Sequence, residues 1–164
     1  MHRVLLSVLL SLVLVAAGST GALALQSGGV EIGDLATGSV VGQPFSSMNV
    51  DLEFTALMVG GKKTWYPPTQ VLDLTNQGTG GRAGSPVLLK VTNNLDGEHG
   101  FNLSADSAHA GPWSMNVKIV LKPGETKYIG IPTSDLTYVT ANSLLKYSCQ
   151  LHAAHLGGQL LIIR

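Results

Sequence analysis

Beyond residue 24 the chain has no run with helical spacing long enough for an amphipathic helix. Short β-prone runs recur instead, cut by turn residues roughly every 8–12 residues. Residues 49–59 form the first strong run and end at Gly60-Gly61, a turn signal. Pro67-Pro68 breaks the chain, and residues 71–74 and 86–93 follow as strand candidates, the second apolar enough to be buried. The glycine-rich residues 76–85 between them have no apolar period and read as a loop. Residues 100–104 continue as strand, and residues 106–114 are a loop that carries His109 and Trp113. Asn116 to Leu121 alternates, with Val117, Ile119 and Leu121 on one face. Lys122-Pro123-Gly124-Glu125 has turn residues in turn order and leads into a strand over residues 126–131. A loop is expected from Pro132, a helical turn over 142–145, and a last apolar strand over 158–163. The pattern predicts an all-β sandwich of seven to eight strands.

The first residues are of another kind. Met1-His2-Arg3 is positively charged, residues 4–17 are almost wholly apolar, and small residues end in Ala22-Leu23-Ala24. That order is a secretory signal. Its apolar run of about 14 residues falls short of the ~20 a membrane-spanning helix needs, so membrane attachment would require an uncleaved segment. The expected division is a signal peptide over 1–24, a loosely held extension over 25–48 with room for one strand near Ser39 to Val41, and one domain over 49–164. The location implied is the periplasm or the outside of the cell.

Ten basic and ten acidic residues balance, and charged residues make up only 12% of the chain. No basic stripe for nucleic acid and no acidic face for a cationic partner is present. The enzyme signatures Gly-x-Ser-x-Gly, the phosphate-binding loop and His-Glu-x-x-His are also missing from the sequence.

Cys149 is the single cysteine. Exported domains normally pair their cysteines, so a lone thiol is an intermolecular bridge, a reactive group or a metal ligand. The neighbours point to the last. Tyr147-Ser148-Cys149-Gln150-Leu151-His152-Ala153-Ala154-His155 places a thiol and two imidazoles within seven residues, just before the final strand. Thiolate with imidazole suits copper or zinc, whereas hard cations take oxygen donors. Another imidazole must come from elsewhere, and His99 is the best placed. It opens a strand, and the period of two puts His99 and Phe101 on one face with Gly100 on the other.

An upstream His followed by Cys-x-x-His before the last strand resembles cupredoxins. Cys149-Gln150-Leu151-His152, the Lys122-Pro123-Gly124-Glu125-Thr126-Lys127 turn and Gly100-Phe101 are similar to nitrosocyanin-like, red-copper members of that family. The resemblance covers roughly residues 86–164 and extends more loosely back to 49. It implies a Greek-key β-sandwich and one copper ion that cycles between Cu(I) and Cu(II). It implies the ligands His99, Cys149, His152 and His155, with His155 in the place of the second loop histidine. It also contains two departures. His99 stands where the red-copper pattern has Glu, with Glu98 one place earlier, and His155 stands where electron-transfer members have an axial Met. Met115 and Gln159 are reserve axial donors, and Glu98 is a reserve ligand or a partner to one.

The function expected is that of an exported electron carrier working with a redox partner protein. The alternative is a nitrosocyanin-like red-copper protein that binds a small molecule such as nitric oxide or catalyses a redox step. A copper-delivery module and a structural zinc site are the remaining readings. Self-association is open to such a chain, as nitrosocyanin-like proteins suggest.

Overall fold

A computed structural model of the chain describes residues 29–40, 42–75, 85–105, 115–139 and 144–164. The expected signal segment, His109 and Trp113 lie outside these residues. Among the described residues no helix is long and apolar enough to cross a membrane.

Two five-stranded sheets face each other. The first is built from β1 (Glu31–Gly33), β4 (Leu52–Val59), β5 (Lys62–Tyr66), β7 (Val87–Asn93) and β10 (Thr126–Ile131), in the order β1-β10-β7-β4-β5. The second holds β6 (Thr69–Asp73), β8 (His99–Ala105), β9 (Asn116–Leu121), β11 (Leu144–Ser148) and β12 (Gly158–Ile163), in the order β6-β12-β11-β8-β9. A two-stranded ribbon, β2 (Ser39–Val40) with β3 (Gln43–Pro44), lies to the side and runs into a single 3-10 turn at Phe45–Ser47. A two-sheet sandwich of this kind is consistent with the architecture the resemblance implies.

The core is what the alternation dictates. Leu52, Phe54 and Ala56 of β4 meet Phe101 and Leu103 of β8, Val117 and Leu121 of β9, and Tyr147 of β11. Phe101 sits at the hub, 4.9 Å from the Trp65 ring edge-on and 5.1 Å from Phe54, between ring centroids. Such pairs add about 0.5–1.5 kcal/mol beyond their buried area.

Ten strands in the two sheets exceed the seven to eight expected, and the reasons are local. β5 was hidden in Lys62-Lys63-Thr64-Trp65-Tyr66, whose lysines mask the alternation; it pairs with β4 across Gly60-Gly61, both at positive φ. β11 takes Leu144 and Leu145 of the helical turn expected over 142–145, whose first two residues lie outside the described ones, because β8 and β12 bracket it on both sides. The loop expected from Pro132 instead begins with a short helix, α1 (Thr133–Val139).

In the described part of the 25–48 extension, the strand expected near Ser39 to Val41 is β2, and the chain around it lies against the sandwich. β1 pairs antiparallel with β10, and Val30, Val40 and Phe45 are buried. Phe45 and Val40 fill the space over Gly130, where a Cβ would collide with both. Val40 and Phe45 each find a slot left by a glycine, which periodicity does not register.

One end of the sandwich gathers four connections. The β4–β5 hairpin, the 93–98 turn, the 122–125 turn and the 149–157 loop all lie there. Asn94 N donates to Ala56 O at 3.0 Å, and Gly124 N donates to Asn93 O at 2.8 Å. Leu156 N donates to Lys63 O at 3.0 Å. This end carries the candidate site.

Candidate metal centre

His99 is the first residue of β8 and is only 1% exposed. The turn before it is held by Asn93, itself fully buried. Its side-chain amide donates to Gly97 O at 2.9 Å and Leu121 O at 3.1 Å, and its oxygen accepts from Leu95 N at 3.0 Å. The turn then presents Asp96 O to Nε2 of His99 at 3.3 Å. Nδ1 of His99 is buried with no partner. A buried polar atom without a partner costs roughly 1–3 kcal/mol, and such an atom calls for a ligand.

Cys149 follows β11 directly and is 6% exposed. Its sulfur lies 3.4 Å from Nδ1 of His152. His155 N donates to His152 O at 3.1 Å, a tight turn that brings the two imidazoles to 4.4 Å between centroids. Their centroids stand 5.1 Å and 4.7 Å from that of His99. One ligand atom from each of His99, Cys149, His152 and His155 falls within 4.8 Å of all the others. His152 is exposed, His155 half-buried, and the other two buried.

Both ends of this loop are fastened. Gln150 turns back over β8, and its Nε2 donates to Ile119 O of β9 at 2.8 Å. It does so through the gap left by Gly100, where a Cβ would run into the Gln150 carboxamide. From the core side, the Trp65 indole donates to Gly100 O at 3.0 Å. At the far end, Trp65 N donates to Leu156 O at 2.9 Å and the Thr64 hydroxyl reaches the same oxygen at 3.2 Å. Below the loop, the Tyr147 hydroxyl donates to Pro67 O.

Burial pushes the His99 imidazole below its ordinary pKa, against a raising effect from the Asp96 carbonyl, and Lys63 and His152 lower it further. Burial does the same to His155, helped by the charges of His152, His99 and Lys63. Both rings are therefore inclined to be neutral, the form that ligates a metal.

The donor set is one thiolate source and three imidazoles. That chemistry fits a borderline or soft ion such as copper or zinc, and the unpartnered Nδ1 of His99 fits a ligand role. The reserve candidates are placed elsewhere. Met115 packs in the core beside Ala105, at the opposite end of the β8–β9 pair from His99. Gln159 is exposed within β12, and Glu98 is exposed outside the cluster. Sequence reasoning missed Asn93, Gln150, Trp65 and Lys63. Only Asn93 had a signal, as the first residue of an Asn-Asn-Leu-Asp-Gly turn.

A β-sandwich that closes one end over a thiol and three imidazoles is a cupredoxin-like arrangement. No protein-family model matches the chain, and no curated protein matches it. Among solved structures it is similar to a purple cupredoxin from Nitrosopumilus maritimus, at 14% identity over 68% of this chain and 99% of that one, with a TM-score of 0.42. It is similar to auracyanin B at 15% identity, over 72% and 93% of the two chains, with a TM-score of 0.46. It is similar to auracyanin A, a blue copper protein from Chloroflexus aurantiacus, at 10% identity over 70% and 99%, with a TM-score of 0.45.

Proposed function

We propose that this chain is a mononuclear copper protein of the red, nitrosocyanin-like kind, which binds a small molecule or carries out a redox step at an exposed centre. The observation that carries this reading is the position of His155. Its ligand atom clusters with those of His99, Cys149 and His152, all within 4.8 Å. A blue site has two imidazoles, one thiolate and a weak, long axial donor. Here His155 adds a third imidazole to the donor set, and an ion held by three nitrogens and one sulfur would depart from that blue pattern.

His99, Cys149, His152 and His155 would hold the ion. Copper when bound supplies one-electron chemistry between Cu(I) and Cu(II). The protein's part is to keep the donors fixed. Asn93 and the Asp96 carbonyl set the His99 ring, Gln150, directly after Cys149, pins the start of the loop to β9, and the Leu156 bonds to β5 close it. The exposure of His152 leaves one side of the centre within reach of solvent.

A second reading is an electron carrier that exchanges electrons with a redox protein. The exposed imidazole of His152 beside a buried thiolate favours it, since one edge of the centre then meets a partner. In either case the order of residues 1–24 supports work outside the cytoplasm.

The test is the optical and electron-paramagnetic spectrum of the mature protein loaded with Cu(II). A red or yellow protein with wide copper hyperfine splitting is expected. An intense blue protein with narrow splitting would overturn the red-copper reading and favour the carrier. Preferential retention of zinc over copper in a competition would overturn both.

A further inference from the structure

We infer that Lys63 makes this centre a receptor for small monovalent anions, held beside the metal on its solvent side; the inference rests on the metal-centre reading above. Cross-strand pairing fixes where Lys63 lies. Ala56 pairs with Trp65 and Met58 pairs with Lys63, so Lys63 continues the core-facing row of β5 one step past Trp65. Trp65 spans the sandwich to Gly100 O, next to His99. The step beyond it therefore leads to the end of the sandwich that holds the four-residue cluster. The backbone agrees, because Lys63 O accepts from Leu156 N, the residue after His155. Lys63 is half-buried, unlike its exposed neighbour Lys62, which faces the other side of the sheet.

The charge balance says what such a residue does. A divalent ion bound by one thiolate and neutral imidazoles keeps an uncompensated positive charge. Lys63 adds another. The Lys63 charge bears on both His99 and His155. A half-buried site with excess positive charge and one face open to solvent attracts anions and disfavours neutral or cationic ligands of equal size. Were Lys63 present only to cover apolar surface with its stem, any long side chain would serve.

The test is a titration of the Cu(II)-loaded protein with sodium azide, and separately with neutral imidazole at pH 8, followed through the visible spectrum. Three variants are compared with the wild type: Lys63→Met, Lys63→Arg and Lys62→Met. Lys62→Met removes the same net charge from the opposite face. Azide affinity is expected to fall roughly tenfold or more in Lys63→Met, to survive in Lys63→Arg and to stay within about twofold in Lys62→Met. Imidazole affinity is expected to be unmoved in all of them. Equal azide binding by wild type and Lys63→Met would overturn the assignment of Lys63 while leaving an open metal position intact. A wild-type spectrum that responds to neither azide nor imidazole would overturn the open position itself, and this inference with it.

Discussion

The Gln150 carboxamide lies in the space that a Cβ on Gly100 would need. The two residues belong to different segments, one following Cys149 and the other following His99, so their fit couples the two parts of the candidate centre. Gly100→Ala is expected to force Gln150 away from Ile119 O, with a loss of about 1–3 kcal/mol in urea unfolding. Gln150→Ala loses the same hydrogen bond, so the double variant should be less destabilised than the sum of the singles. Simple additivity would mean that the two residues do not act through one contact. In copper-loaded protein both single variants should also change the visible spectrum, and Gln150→Glu, which has no N–H to give Ile119 O and sets a carboxylate against that carbonyl, should change it at least as much as Gln150→Ala.

The unpartnered Nδ1 of His99 predicts a trade between stability and binding. His99→Leu replaces an unsatisfied buried polar group with an apolar one of similar size. The metal-free variant should unfold at the same temperature as the wild type or higher. Its copper affinity should fall roughly hundredfold or more, and the rise in melting temperature on adding copper should nearly vanish. A metal-free variant that melts well below the wild type would show that His99 is held for packing rather than for a ligand.

Acid should weaken the metal-free protein before it weakens the loaded one. His99 and His155 both have imidazole pKa values lowered mainly by burial. The unfolded chain then binds more protons than the folded one as the pH drops below about 6.5, the ordinary histidine value. The stability these rings contribute is fully present above that value and is lost as the pH falls towards their folded values. Melting temperatures measured from pH 8 to pH 5 should therefore decline on the acid side, and the decline should be shallower in His155→Asn. With metal bound, protons must displace the ion first, so the decline should begin at lower pH.

Tyr147 governs the alkaline side. Burial pushes its phenol up to about 12, although a backbone contact from Gln159 opposes the shift. The unfolded phenol ionises near 10, so the stability is whole below that pH and is lost as the pH rises through 12. Tyr147→Phe should remove this alkaline loss. At neutral pH it should cost about 1 kcal/mol for the bond to Pro67 O. An unchanged alkaline limb in the variant would assign the loss to the lysines instead.

Much of this is legible in the sequence. Asn116–Leu121 and Gly158–Ile163 stand in the structure at their expected bounds, because each alternates or runs apolar between clear turn residues. The grouping of His99, Cys149, His152 and His155 was legible from spacing and from the resemblance. What the sequence concealed was what depends on shape. β5 has two lysines at its start and a half-polar pattern, and it is a strand because β4 is beside it. The burial of Phe45 beside the β2–β3 ribbon depends on Gly130 and Gly38 being bare enough to admit an aromatic ring. Gln150 looked like an arbitrary residue between two ligands, since nothing in a string of letters says that Gly100 lies beneath it. Lys63 was invisible for the same reason, its role being set by a register with Met58.

Three of the four clustered side chains come from one short stretch, and that stretch is tied down at both ends, by Gln150 to β9 and by Leu156 to β5. A segment clamped in this way behaves as an insert in a frame. The residues between the clamps can then be lengthened, shortened or re-lettered with the sandwich left in place, while His99 and Cys149, which both lie outside the clamped residues, stay where the strands put them. A change of metal behaviour can thus be confined to a handful of positions while the sandwich that carries them is left alone.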